Sequence, residues 1–169
     1  MRFSKKGQFS YVDLIISLVI FAILLTLFFK YSSNITDRQE GITGMVIEGR
    51  IISDNLISEG FPSNWNSSNV MTVGITDNNN QVNETKLQNL ININYDETRN
   101  LLRTKYDYYF FFKDQNGSVI KINSTEEGIG YPGVNSSNIE YQDIDDLIKL
   151  ERILFFKNHM AKMVLYVWQ

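Results

Sequence analysis

Apolar residues are concentrated in one uninterrupted run near the start of the chain. Between Val12 and Phe29 the single charged residue is Asp13. A short basic segment precedes the run and contains Arg2, Lys5 and Lys6. A helix over this run would be about 27 Å long, close to the hydrocarbon thickness of a bilayer. The pattern predicts a transmembrane helix over residues 8–30, and the basic flank predicts that its N-terminus lies inside the cell.

The helical pattern continues beyond Lys30, with apolar residues that return to one face of a helix. These residues are Ile35, Ile42, Met45, Val46, Ile52 and Leu56. Gly60 followed by Pro62 is a typical helix end. We therefore expect residues 31–60 to extend the first helix.

From residue 61 onward the pattern changes to short elements separated by turn residues. Strands are predicted at 70–75, 106–113, 118–123, 152–157 and 163–168, with short helices at 84–90 and 96–102. Residues 125–138 are predicted to form a loop. The fold class is therefore α+β: a long N-terminal hydrophobic helix followed by a small domain, residues 61–169, with an antiparallel sheet.

Charge and composition narrow the function classes. The formal net charge of the chain is −3, but Arg2, Lys5, Lys6 and Lys30 lie beside the apolar run, which leaves 12 basic and 18 acidic residues in the rest of the chain and makes it more acidic. Nucleic-acid binding is disfavoured because it requires a basic surface. Cysteine is absent, so disulfides do not stabilise the predicted external domain.

Six Asn-x-Ser/Thr sequons occur in the chain and are candidate N-glycosylation sites. They begin at Asn34, Asn66, Asn83, Asn116, Asn123 and Asn135. Their number favours an exported, glycosylated surface. The alternative explanation is the generally high asparagine content of the sequence.

Two polar segments of the sequence have features of metal sites. Asp77, Asn79 and Gln81 have the spacing of the first calcium-loop ligands, but Val82 and Gln88 stand where that loop requires Gly and Glu. A polar turn is the preferred interpretation. A second acidic cluster, Asp143, Asp145 and Asp146, is interpreted as a helix cap or a solvated surface, so no metal site is predicted.

Catalytic chemistry finds little support in the sequence. His159 is the single histidine and is predicted to lie in a turn, which gives little support for a nucleophile–histidine triad. Cysteine is absent, so a thiolate zinc site cannot be built. We expect no enzymatic activity and no cofactor. The aromatic segment 106–112 is interpreted mainly as core, with an exposed adhesive face as the alternative.

The start of the chain resembles the class III signal of archaeal prepilins. The resemblance rests on Lys5, Lys6, Gly7, Gln8 and Ser10, which match a basic pair followed by Gly-Gln-x-Ser and a hydrophobic helix. The layout around residues 60–65, 73–77 and 107–110 and the aromatic C-terminal strand are also similar to archaeal type IV pilin-like proteins. The resemblance implies that residues 1–7 form a leader removed by a prepilin peptidase between Gly7 and Gln8.

Asp13 departs by one position from the pattern of that family, which places an acidic residue fifth in the mature protein. Cleavage after Gly7 makes Asp13 the sixth residue, whereas cleavage after Gln8 makes it the fifth. The resemblance implies that Asp13 neutralises the N-terminal amine of a neighbouring subunit during assembly. The alternative is that Asp13 lies at headgroup depth, where ionisation costs little.

The resulting expectation is a minor pilin or pseudopilin, a structural subunit of an archaeal type IV pilus-like surface filament. Its partners would be other pilin-like subunits, bound through the N-terminal helix, together with prepilin peptidase and the membrane. It would be a single-pass membrane protein with its external domain on the cell surface. The alternative is a membrane-anchored surface protein that does not polymerise and binds a ligand or partner.

Overall fold

The computed structural model describes residues 6–77, 80–139 and 144–169, apart from the side chains of residues 6–10, 34–38 and 40. The chain divides into two compact units, Met1–Ile42 and Thr43–Gln169. The described residues of the first unit form the N-terminal part of a helix, and those of the second contain the end of that helix, two short helices and a sheet.

Three helices are present in the described residues: α1 over Lys6–Leu56, α2 over Glu84–Ile91 and α3 over Tyr95–Leu102. The predicted long helix and both short helices are confirmed. Helix α1 ends at Leu56, before the expected end at residue 60. The carbonyl of Leu56 instead accepts a hydrogen bond from the Ile75 N–H at 2.8 Å, so the chain after the helix pairs with a later segment.

The strands form one antiparallel sheet, as predicted. They are β1 over Asp107–Lys113, β2 over Val119–Ile120, β3 over Gly128–Gly130, β4 over Leu147–Phe156 and β5 over His159–Trp168. The order is β2-β1-β5-β4, and β3 also pairs with β1. Strand β4 therefore lies at one edge of the sheet.

Several strand boundaries differ from the prediction. The segment 70–75 forms only an isolated bridge, between Thr72 and Phe61, and β2 is shorter than the predicted 118–123. Strand β3 lies inside the predicted loop 125–138. The β4–β5 hairpin is longer than predicted. The prediction missed the first half of β4 because charged residues on its exposed face, Lys149 and Glu151, lower the apolar content of that segment. His159 begins β5; the turn is formed by Lys157 and Asn158, both with positive φ.

The aromatic strand β1 is buried on both faces. Tyr108, Phe110 and Phe112 belong to the main core, which also includes Met45 and Ile52 of α1. The alternate residues of β1 belong to a second cluster on the other face: Tyr109 and Phe111, with Val164, Tyr166, Trp168 and Ile139. Val134 and Ile144, which precede β4 in the chain, pack against this second cluster. The alternative of an exposed aromatic surface on β1 is therefore wrong, and core packing is confirmed.

Helix α1 packs closely on the sheet at Gly49. A methyl group added at Gly49 would lie 2.8 Å from Ile148 Cδ1 and 3.0 Å from Leu150 Cδ1. Glycine costs up to about 1 kcal/mol in a helix relative to alanine. Here it allows the helix and strand β4 to approach, so a residue that weakens the helix locally improves the packing of the second unit.

Candidate functional site: the exposed apolar segment of helix α1

The part of α1 from Tyr11 to Ser33 is the most distinctive surface of the described chain. It contains 23 residues and is long and apolar enough to cross a membrane, by length and composition. At about 1.5 Å per residue it is about 35 Å long. This confirms that the N-terminal apolar run forms a helix able to span a bilayer.

Every side chain of this segment is exposed in the described structure. Leu18, Leu24 and Phe28, for example, are 64%, 59% and 65% exposed. In water such a continuous apolar surface is unfavourable, because burial of apolar area yields roughly 25 cal/mol per Å². The segment therefore requires an apolar environment or another apolar surface.

Asp13 and Lys30 are the charged residues of this segment and lie close to its two ends. The Asp13 side chain is exposed and lies within the first turn of the segment. An ionised carboxylate that enters an apolar environment without a partner carries a large desolvation cost. The position of Asp13 therefore allows two arrangements, at the aqueous boundary or paired with a positive group.

The residues that resemble a processing signal lie at the beginning of α1. Lys6, Gly7, Gln8 and Ser10 belong to its first turns, whereas Lys5 lies outside the described residues. Asp13 follows on the same helix. The described backbone thus places the proposed cleavage site and the proposed assembly residue on one continuous helix.

Three of the sequon asparagines lie in loops of the second unit and share one local geometry. In each, Oδ1 accepts a hydrogen bond from the backbone N–H two residues further on. The pairs are Asn66 with Ser68 at 2.8 Å, Asn123 with Thr125 at 2.9 Å and Asn135 with Ser137 at 2.9 Å. Asn116 lies exposed in the turn between β1 and β2. These four positions lie on the surface of the second unit.

Asn83 has a different environment. Its Oδ1 caps helix α2 by accepting from the N–H groups of Thr85 and Lys86, and its Nδ2 donates to both carboxylate oxygens of Asp77 at 3.2 and 3.1 Å. The nitrogen that would carry a glycan is therefore engaged. Asn34 lies in α1, and its side chain is outside the described part of the chain.

The two polar segments do not form a metal site in the described residues, where no group of three or more His, Asp or Glu side chains is suitably placed. Asp77 instead pairs with Lys86 and Asn83. Asn79 and Asp143 lie outside the described residues. His159 is exposed at the start of β5.

A tyrosine cluster joins α3 to β1 and was not anticipated from the sequence. The Tyr95 hydroxyl donates to Asp107 Oδ1 at 2.8 Å and accepts from the Tyr108 N–H at 3.2 Å, while Arg99 forms an ion pair with Asp107. Burial, and then the hydrogen bond to Asp107, raise the pKa of Tyr95 far above its ordinary value. The residues are close in sequence, but nothing in their spacing specifies the hydrogen bonds. The arrangement holds a neutral tyrosine and connects two elements of the second unit.

Comparisons with known proteins give no match: no family model, no curated protein and no solved structure is similar to this chain.

Proposed function

We propose that this chain is a structural subunit of a type IV pilus-like surface filament, a minor pilin or pseudopilin, and not an enzyme. The observation that carries the proposal is the exposed apolar segment Tyr11–Ser33, followed along the chain by a separate compact unit, Thr43–Gln169. Such a segment can first lie in a membrane and later pack against the same segment of other copies.

The residues before the segment support a processing step. Lys5, Lys6, Gly7 and Gln8 resemble the site at which prepilin peptidases cut, and a cut after Gly7 would leave the apolar helix on the mature chain. Removal of residues 1–7 would leave Gln8 with a new positive amine. The basic flank orients the uncleaved chain with its N-terminus inside the cell and the second unit outside.

Asp13 supplies the proposed assembly charge. Transfer of the helix from the membrane into a bundle of apolar helices moves this carboxylate away from water, which is favourable only if a positive partner is present. The amine of Gln8 on a neighbouring copy is such a partner. Glycans on exposed sequons of the second unit, such as Asn66 and Asn135, would then face the surroundings of the filament.

Replacement of Asp13 tests the assembly step. The full chain and its Asp13→Asn variant would be expressed in an archaeal host that has a prepilin peptidase and pilus assembly machinery. We expect both to be processed and inserted equally, and the variant to be lost from filaments sheared from the cell surface. Asp54→Asn is the matched control, because it makes the same change on the same helix and alters only an exposed ion pair with Arg152.

Two results would contradict the proposal. Equal recovery of the parent chain and Asp13→Asn in the sheared fraction would exclude the assembly role of Asp13. Absence of the parent chain from that fraction, with the protein retained in the membrane, would instead favour the anchored, non-polymerising surface protein.

A further inference from the structure

Strand β4 forms an open edge of the sheet. It pairs with β5 along its whole length, and at its C-terminal end the segment Asn80–Val82 covers its outer side. Among the described residues nothing pairs with the outer side between Leu147 and Ile153. Ile153 is 67% exposed, although it is a large β-branched residue in a regular strand. Open edges of this kind are templates for pairing with another strand.

The direction of the free backbone groups follows from Phe155. Its N–H donates to Asn80 O at 3.0 Å, and its carbonyl accepts from Val82 N–H at 2.7 Å, so both groups point away from β5. In an antiparallel sheet, alternate residues present their backbone groups to the same side. The other residues of β4 whose backbone N–H and C=O groups point away from β5 are therefore Leu147, Lys149, Glu151 and Ile153.

The side chains of these four residues are complementary between two copies. Within one chain Glu151 already pairs with Lys149 at 3.0 Å and with Lys162 at 2.8 Å, so pairing across the edge would extend an existing charge network. In an antiparallel pair of two β4 strands centred on Leu150, Lys149 lies opposite Glu151 of the second copy, and Leu147 lies opposite Ile153. A shift of the register by two residues places Lys149 opposite Lys149, or Glu151 opposite Glu151, which is unfavourable. The charges thus favour one register. In that register the opposed residues all have backbone N–H and C=O groups that point away from β5, so these groups can bond to the second copy.

We propose that the β4 edge is a docking surface for the β4 edge of a second copy of this chain, paired antiparallel about Leu150. The pairing joins two sheets into one continuous sheet through up to about eight backbone hydrogen bonds, two for each opposed outward-facing pair. It goes beyond the proposed filament function, because it requires only that the chain is held at a surface by its apolar helix.

The part of α1 in the second unit runs alongside β4, so the pairing of two β4 strands also sets the relative direction of the two helices. Gly49 lies against Ile148 and Leu150, and Asp54 binds Arg152 at 2.9 Å, so this part of α1 and β4 run in the same direction. A two-fold pairing of β4 reverses one copy, so the two α1 segments run in opposite directions. One strand pair is smaller than the about 1,200 Å² of a stable interface, so a single pair is weak, and many such pairs between copies held at a surface would act together.

Cysteine cross-linking in the full chain tests the register directly, because the chain contains no native cysteine. Leu147→Cys and Ile153→Cys chains, purified in detergent with different tags, would be mixed and oxidised. In the proposed register the two positions are directly opposed, with Cα atoms about 5.5 Å apart, which a disulfide can bridge. We expect mixed dimers only, because two copies of either single position lie about 20 Å apart along the strands.

Charge reversal provides the matched test in the same cross-linking pair. Lys149→Glu should lower the yield of mixed dimer on the order of tenfold, because it opposes two carboxylates at both symmetric positions. Combining it with Glu151→Lys should restore the yield. Lys121→Glu is the control, since Lys121 follows β2, on the other side of the sheet from β4.

The proposal is overturned if Ile153→Cys chains cross-link to themselves as readily as to Leu147→Cys chains. It is also overturned if no mixed dimer forms although both thiols react with a maleimide. Because a poorly folded variant would show the same loss, far-ultraviolet circular dichroism and the rescue by the double charge swap confirm that each chain is folded. Neither test uses processing or filament assembly. A negative result in either test would therefore reject the β4 pairing and leave the proposed filament function to be tested separately.

Discussion

The buried ammonium group of Lys86 lies 3.1 Å from Asp77 Oδ1 and also donates to the carbonyl oxygens of Glu59 and Thr76 at 3.0 and 2.9 Å. All three donors of this side chain are therefore used. Through them, helix α2 holds the segment that follows α1 and the turn at Asp77. Lys86 is a structural centre of the second unit, in a region where the sequence offered only a partial calcium-loop pattern.

Replacement of Lys86 by methionine should lower the free energy of unfolding by about 2 kcal/mol, because two backbone carbonyls lose their donor and Asp77 loses its buried partner. Denaturant unfolding of the full chain in detergent measures the change. The exposed Lys121→Met is the matched control and should change stability by less than about 0.5 kcal/mol. Equal effects of the two substitutions would contradict the structural role of Lys86.

Gly49→Ala should destabilise the second unit by about 1–3 kcal/mol, because the added methyl group would crowd three side chains from β4 and β5. Helix propensity alone predicts the opposite sign. Gly44→Ala is the comparison, since its added methyl group would meet only the Tyr106 hydroxyl, at 3.2 Å. It should change stability by less than about 1 kcal/mol. A stabilising Gly49→Ala would exclude the close approach of helix and sheet.

Alkaline pH should destabilise the second unit through its buried tyrosines. Burial raises the pKa of Tyr108 to about 12, and burial together with the nearby Glu127 and Glu126 raises the pKa of Tyr109 to about 12. The unfolded chain loses these protons near pH 10. The stability contributed by the neutral rings is therefore complete below about pH 10 and is lost as the pH rises toward 12.

Unfolding at a series of alkaline pH values, followed by circular dichroism, measures this loss. Tyr95, whose pKa is also raised, adds to the decline. Tyr109→Phe removes one of these three groups and should make the decline in stability between pH 10 and 12 shallower. A decline of the same steepness in the variant would show that Tyr109 does not carry this dependence.

Glycan occupancy should distinguish Asn83 from Asn66, Asn123 and Asn135. A glycan on Asn83 Nδ2 would replace one of the two hydrogens that this nitrogen donates to Asp77 and would disturb the cap of α2, and loss of a cap of this type costs about 1 kcal/mol. Mass spectrometry of glycopeptides from folded protein, produced in a host that glycosylates sequons, should find Asn83 unmodified and one or more of the loop sites modified. An occupied Asn83 in folded protein would contradict the role of its amide.

Elements with a strong local pattern were predictable from the sequence. The apolar run required a helix, the apolar positions around Met45 and Ile52 continued it, and the aromatic residues of β1 required a buried strand. Strand β4 was underestimated because Lys149, Glu151 and Arg152 lower its apolar content, and an edge strand tolerates them. Strand β3 was missed because glycines at 128 and 130 read as a loop, although they permit the close approach to β1.

The candidate functional site was likewise only partly predictable from the sequence. The apolar segment and the position of Asp13 were evident, because they depend on composition along the chain. The hydrogen bonds of Asn83 and Lys86 were not, because they join the end of α1, the turn at Asp77 and α2, and no local pattern encodes such contacts. The open side of β4 likewise depends on the strand order of the sheet.

The proposed filament function requires that the first seven residues are a leader whose removal leaves the apolar helix on the mature chain. The most direct test is the intact mass of the full chain after co-expression with an archaeal prepilin peptidase, beside a chain in which Gly7 is replaced by a bulky residue. We expect loss of residues 1–7 from the parent chain and an uncleaved Gly7 variant. An intact N-terminus in the parent chain, with an active peptidase present, would contradict it.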